Sequence, residues 1–337
     1  MPTAPPAPRN ARPARLHVVA LLTAVVALAA GCSGSSNAAD RTSRSTTTTV
    51  ADGVASSLEG ISGADTATRP PTAAEAALVA ARPYDLHEPP QAKDPAPLVV
   101  LLHGYGASGA TQAAYLGIAK ATDAQGMLLA IPDGTPNALD KRFWNATDAC
   151  CAGRRTDVDD SAYLRAIVAD VATHHAVDPS RVYFVGHSNG GFMSYRMACD
   201  HADVVAAIVS LEAATWADDA KCRPSTAVSV LEIHGTGDRL IRYDGGANIG
   251  RRYPGAEQTV KTWAGHDGCA PTPDDPAPAP HRIEVNRPPA TVTAYTKDCR
   301  NDTTVELWTQ PDGVHVPALD PTFSTQVVAF LLAHPKV

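Results

Sequence analysis

The run Arg181-Val182-Tyr183-Phe184-Val185-Gly186-His187-Ser188-Asn189-Gly190 constrains the fold more than any other part of this sequence. Its first half is β-branched and aromatic, the composition of a buried strand. Its second half reads G-x-S-x-G and opens a stretch with helical spacing. A serine lifted on a tight turn between strand and helix needs small neighbours, because larger side chains would collide across the turn. The run therefore predicts a strand, a sharp elbow and a helix, with the hydroxyl raised above the carboxyl end of a sheet.

The flanking sequence fits that frame. Short apolar runs at 98–102, 127–131, 182–185, 204–211 and 228–233 read as strands. Tyr163, Leu164, Ile167, Val168 and Val171 mark a helix over 159–177, with Asp159 or Asp160 as N-cap. Further helices are expected at 109–124, 189–200, 256–264 and 321–333. The proline-rich stretch 270–280 is expected to be loop. Alternating strands and helices predict an α/β fold, a mostly parallel sheet covered by helices on both faces, filling one domain over 70–337.

Serine is a poor nucleophile at its own pKa, so a histidine must take its proton and a carboxylate must fix the histidine tautomer. Behind an elbow of this kind the partners follow in the order serine, acid, histidine. Asp238, in Ile233-His234-Gly235-Thr236-Gly237-Asp238 just past a strand, is the candidate acid, with Asp244 as its rival. His315, in Asp312-Gly313-Val314-His315 after the apolar stretch 305–308, is the candidate base. His187 sits inside the elbow, His234 precedes the acid and His334 is at the chain end. An acyl-transfer site also needs N–H donors for the oxyanion. The backbone of Asn189 and that of Tyr105, in His103-Gly104-Tyr105-Gly106, are expected to supply them, with His103 bracing the loop. Trp144, Asn145 and Tyr243 are candidates for lining the substrate pocket, and Trp144 could equally plug its loop onto the domain.

The N-terminus reads as an export leader. Arg9, Arg12 and Arg15 precede an apolar stretch over 16–30, shorter than the roughly 20 residues of a membrane span. It ends in Leu28-Ala29-Ala30-Gly31-Cys32, which resembles a lipobox with Ala29 in place of its usual leucine. Residues 1–31 are thus expected to be a cleaved lipoprotein signal, with Cys32 lipidated and 32–69, rich in Ser and Thr, a tether. Six cysteines remain beyond Cys32, an even number suited to disulfides in an oxidising compartment. Cys199 with Cys222 and Cys269 with Cys299 are the favoured pairs, since each would brace connections near the site. The neighbours Cys150 and Cys151 either bond to each other or force a different pairing.

The net charge is −7 for the whole chain and −10 without residues 1–31, which disfavours nucleic acid and anionic membrane surfaces as partners. A lipid at Cys32 is the one membrane contact expected. No Cys-x-x-Cys pair, no P-loop and no G-x-G-x-x-G in a Rossmann context occurs, so neither metal nor cofactor is expected.

These blocks together resemble the exported α/β-hydrolase esterases related to polyhydroxybutyrate depolymerases and to feruloyl or acetylxylan esterases. The resemblance runs from Arg82-Pro83-Tyr84-Asp85-Leu86 through His103-Gly104-Tyr105-Gly106, Phe143-Trp144-Asn145, Asp159-Asp160, the elbow and the Asp238 segment to Gly313-Val314-His315-Val316-Pro317. It implies an α/β-hydrolase fold, a triad of Ser188, Asp238 and His315, and hydrolysis of a carboxylic ester, polymeric or carried on a polysaccharide. Val316 stands where many relatives carry an aromatic residue, which weighs against aromatic or crystalline polymers. A serine peptidase, a cell-wall acyltransferase and a non-catalytic binding lipoprotein are the competing functions, since the same constellation serves each or could persist unused.

Overall fold

The computed structural model describes residues 68–153 and 157–337; the expected leader, Cys32 and all but 68–69 of the expected tether lie outside the described residues. Eight strands form one sheet: β1 (Asp85–His87), β2 (Ala96–Leu102), β3 (Leu128–Ile131), β4 (Val177–His187), β5 (Ala207–Leu211), β6 (Ser229–Gly235), β7 (Thr291–Tyr295) and β8 (Val305–Gln310). Their order is β1-β3-β2-β4-β5-β6-β8-β7, with every neighbour parallel except the two edge strands β1 and β7.

The central strands are apolar on both sides, and their period of two sends alternate residues to opposite faces. Leu98, Val100, Leu102, Val182 and Phe184 join Leu164 and Ile167 of α4 (Asp160–His174), Phe192 and Met193 of α5 (Asn189–Asp200) and Trp263 of α6 (Ala256–Asp267) in one core. Val99, Leu101, Tyr183 and Val185 pack on the other face against Leu116 of α2 (Gly109–Leu116), Ile118 of α3 (Ile118–Asp123), and Val327 and Leu331 of α7 (Phe323–Ala333). The expected α/β-hydrolase sheet with helices on both faces is the fold observed.

Local chemistry sets the element ends. The Asp159 side chain accepts the Ala162 N–H at 3.0 Å and caps α4. The helix expected over 109–124 is two helices, because Gly117 turns left-handed at φ 64° between α2 and α3. The strand expected at 182–185 begins earlier, at Val177, where α4 has already ended. The segment 204–206 lies outside β5, and 270–280 is loop as expected. Strands β1 and β7 and helix α1 (Ala73–Ala81), held by a capping box between Thr72 and Glu75, carry no strong sequence signal.

Cys199 is bonded to Cys222 and Cys269 to Cys299, the two favoured pairs, and Cys150 is bonded to Cys151. The first two close loops whose chain-entropy contribution is about 3 kcal/mol each. Among the described residues, no helix is long and apolar enough to cross a membrane.

Candidate active site

From β2 the chain steps out to β3 on one side and returns as β4 on the other, so a crevice opens at the carboxyl ends of β2 and β4, where open α/β sheets bind their ligands. Ser188 follows β4 at that point. Its backbone sits at φ 54° and ψ −119°, a conformation that costs of order 1–3 kcal/mol in a non-glycine residue. The Ser188 N–H is held by the Leu211 carbonyl at 2.8 Å. A side chain on Gly186 would lie 2.1 Å from the Gly190 carbonyl oxygen, which is why the turn demands glycine there.

Ser188, His315 and Asp238 form one hydrogen-bonded chain. Ser188 Oγ lies 2.9 Å from His315 Nε2, and His315 Nδ1 lies 2.7 Å from Asp238 Oδ2. The other carboxylate oxygen, Oδ1, accepts the N–H groups of Leu240 and Ile241 at 2.7 and 3.1 Å. Burial by itself would raise the Asp238 pKa, but the hydrogen bonds from His315 and Leu240 hold it below the usual carboxylate range. A carboxylate so fixed keeps the Nδ1 proton in place and leaves Nε2 free to accept from serine. The rival acid, Asp244, is exposed and lines a separate cavity with Glu257 and Lys261.

The acid and base loops are joined along their main chains. Thr236 N–H donates to the Gln310 carbonyl at 3.0 Å, Gly237 N–H to Gly313 at 2.9 Å, and Asp312 N–H to Thr236 Oγ1 at 2.8 Å. A side chain on Gly235 would meet the Gly313 carbonyl carbon at 2.3 Å, so backbone lies directly on backbone.

Asn189 opens α5, and as the first helical residue its N–H has no partner one turn back. Tyr105 stands on the turn closed by Ala107 N–H to the Gly104 carbonyl at 3.1 Å, and its half-exposed ring borders a cavity of about 410 Å³ that contains Ser188. The Asn189 side chain does something the sequence does not announce. Its Oδ1 accepts the Trp144 N–H at 2.7 Å while its Nδ2 donates to the Trp144 carbonyl at 2.9 Å.

The three residues considered for substrate lining all serve elsewhere. Trp144 is fully buried and donates from its indole to the His103 carbonyl at 3.0 Å, so it plugs its loop onto the domain. Asn145 directs its side-chain amide to the Val158 carbonyl at 2.8 Å, and its N–H goes to Asp160 at 2.6 Å. Asp160 in turn holds Arg82, whose guanidinium stacks 3.5 Å from the Tyr163 ring centre. Tyr243 bonds Thr309 at 2.9 Å and lines the cavity of Asp244. Sequence places each of these loops near the site without fixing which side of it faces inward.

The walls of the Ser188 cavity are Tyr105, Thr111, Tyr115, His187, Leu240 and Val316 among others. Leu240, His315 and Val316 also border a second groove of about 570 Å³ toward Arg239 and Asp312. Buried Gln112 accepts the Gly104 N–H at 3.2 Å and steadies the loop after β2. His103 braces that loop, as expected: the Gly134 N–H donates to its Nε2 at 2.9 Å, so Nδ1 carries the proton and donates to the Gly104 carbonyl at 2.8 Å. Burial lowers the pKa of His103 and pushes that of His187 down to about 4.

Glu212, His234 and Asp238 present ligand atoms within 4.8 Å of one another, a spacing a cation could bridge. Their donors and lone pairs are already committed: Asp238 to His315, and the His234 ring nitrogens to Glu232 and the Ile241 carbonyl at 2.9 and 2.8 Å. The trio is better suited to holding protons than a metal.

Residues 82–266, more than half of the chain, match the sequence profile of the family described as esterase PHB depolymerase. That segment holds Ser188 and Asp238 and stops before His315. Feruloyl esterase B of Piromyces equi is 31% identical over 191 residues, covering 54% of this chain and 34% of that protein. Feruloyl esterase C of Emericella nidulans is 30% identical over 118 residues, covering 35% of this chain and 39% of that protein. The match thus spans about a third of the length of these curated relatives. Among solved structures, an acetyl xylan esterase from Aspergillus awamori aligns with a TM-score of 0.50 at 16% identity, over 73% of this chain and 92% of that one, a likeness of fold alone.

Proposed function

The chain belongs to the esterase PHB depolymerase family, and from that premise we propose that it is a serine esterase hydrolysing carboxylic esters through an acyl-enzyme. The observation that carries the reading is the chain of hydrogen bonds from Ser188 through His315 to Asp238 at the mouth of a cavity.

Ser188 Oγ attacks the ester carbonyl carbon while its proton passes to His315 Nε2. The backbone N–H groups of Tyr105 and Asn189 receive the oxyanion; losing one such donor costs roughly 3–4 kcal/mol. When the tetrahedral intermediate collapses, the alcohol leaves with the proton from His315 and the acyl group stays on Ser188. Water then attacks the acyl-enzyme, gives its proton to His315 and releases the carboxylic acid as that proton returns to Ser188.

The substrate fits an ester with a compact, largely apolar acyl group. Leu240, Val316 and Tyr105 stand exposed around the Ser188 cavity, so an apolar moiety would cover them. The relatives named feruloyl esterase make feruloyl esters one natural class, and the family's own description makes a hydroxyalkanoate polyester another. The three disulfides suit an oxidising, extracytoplasmic setting. Cys32 is proposed as the lipid attachment point, and labelling cells with an alkynyl palmitate should mark the wild type but not Cys32→Ala.

Hydrolysis of p-nitrophenyl butyrate by the full oxidised chain, beside its Ser188→Ala variant, tests the assignment. A loss of at least a thousandfold in the variant supports it. Turnover that survives the substitution sinks it.

A further inference from the structure

Three carboxyl side chains, the triad acid among them, converge on one imidazole. Glu212 directly follows β5, Glu232 and His234 lie in β6, and Asp238 stands three residues past its end. All four residues are buried. His234 donates from Nδ1 to Glu232 Oε1 and from Nε2 to the Ile241 carbonyl; with both nitrogens facing acceptors, the ring holds two protons and a positive charge. Burial opposes that charge, but the surrounding acidic side chains and the hydrogen bonds to Glu232 and the Ile241 carbonyl outweigh it and raise the His234 pKa.

The His234 Nε2 atom is 3.4 Å from Glu212 Oε2 and 3.8 Å from Asp238 Oδ2. One cation cannot offset three carboxylates sealed from water, so one of them keeps its proton. Glu212 is the one, since burial and the adjoining Asp238 both push its pKa well up against the opposing pull of His234. The Gly235 N–H donates to its two oxygens at 3.0 and 3.1 Å, and a Glu212 oxygen lies within 4.8 Å of an Asp238 oxygen, close enough for the proton to lie between the two carboxyl groups. The backbone of Glu212 is also unusual. It adopts φ 56°, pinned by its N–H to the Ile233 carbonyl at 2.9 Å, and strain of this kind persists only where surrounding structure enforces it.

We propose that Glu212 and His234 are positioning residues for the triad acid: Glu212 donates a hydrogen bond that fixes the Asp238 carboxylate, and His234 offsets its charge. With the pair in place, the buried group carries one net negative charge toward a neutral His315, and that charge is cancelled when His315 takes the serine proton. The remaining titratable neighbours are Tyr195, whose hydroxyl donates to Glu232 at 2.9 Å, Tyr243, edge-on to His234 at 5.8 Å, His187, packed 5.3 Å from the His315 ring, and Tyr115, within electrostatic reach of Glu212 and 5.7 Å from the His187 ring. This inference rests on the triad assigned above.

The test is kcat and KM against pH for p-nitrophenyl butyrate with the full oxidised chain, comparing wild type, His234→Gln, Glu212→Leu, Glu212→Gln and Ser188→Ala, with a thermal melt of each. In His234→Gln the acid limb of kcat/KM should move to higher pH by about half a unit to one unit, because Asp238 loses its compensating cation. Glu212→Leu should lose about 10- to 100-fold in kcat with KM within about twofold, and Glu212→Gln, whose amide still donates to Asp238, should recover most of that loss. An unmoved acid limb in a folded His234→Gln, or a Glu212→Gln as impaired as Glu212→Leu, overturns the proposal; if His234→Gln does not fold, the two Glu212 variants decide. Turnover retained by Ser188→Ala would instead overturn the triad itself.

Discussion

His187 Nε2 donates to the main-chain carbonyl of His315 at 2.7 Å, so the residue before the nucleophile holds the backbone that carries the base. The His187 ring also lies between those of Tyr115 and His315, at 5.7 and 5.3 Å. Serine and base are thereby spaced by a contact in the wall of the substrate cavity.

His187 must be neutral in the folded protein, because burial lowers its pKa to about 4 from an ordinary value of 6.5. The folded state then binds fewer protons than the unfolded one between those values, so this residue's contribution to stability is present above pH 6.5 and lost as pH falls toward 4. The loss should reach about 3 kcal/mol. Denaturant melts of wild type and His187→Gln from pH 7 to pH 4 should show a shallower decline in the variant, and parallel declines would refute the assignment.

Asn189→Leu should lower stability by about 3 kcal/mol, since the Trp144 N–H and carbonyl would both be left buried without partners. Calorimetry should register a fall in melting temperature of roughly 5 °C.

Trp144→Phe should cost about 2 kcal/mol through the lost indole bond to His103, yet leave KM for p-nitrophenyl butyrate within about twofold. A large rise in KM with an unchanged melt would mean that the ring touches substrate after all.

Leu240→Ser should raise KM for p-nitrophenyl butyrate about fivefold and for the acetate ester by less than half as much, because the longer acyl chain has more surface to lose. Equal effects on both esters would remove Leu240 from the acyl side of the cavity.

Replacing Cys199 and Cys222 together by serine should lower stability by about 3 kcal/mol, read as a melting temperature roughly 5 °C lower under oxidising conditions.

The strands of the sheet centre are legible because they are buried on both faces and need unbroken apolar β-branched runs, as in β2 and β4. Edge strands β1 and β7 are short and half polar, so the same rule passes over them. Ser188, Asp238 and His315 are legible because each sits in a short glycine-bearing segment after an apolar run, where a loop end can be recognised without knowing its path. Trp144, Asn145 and Tyr243 are not, since the face a loop side chain turns to is decided by partners distant in sequence, such as the His103 carbonyl for Trp144 and Thr309 for Tyr243. Glu232 did leave a trace: an acid inside the apolar run Val228-Ser229-Val230-Leu231-Glu232-Ile233 must find a partner when buried, and His234 two residues on is within reach.

The contact of Gly235 with Gly313 divides the molecule into parts with different freedom to vary. Acid and base ride on two loops sewn together at their roots, while Leu240 and Val316 project from the tips into the cavity mouth. Randomised libraries aimed at the tips can therefore search for new substrates with the catalytic register held constant, whereas a single methyl group added at either root would drive the two loops apart.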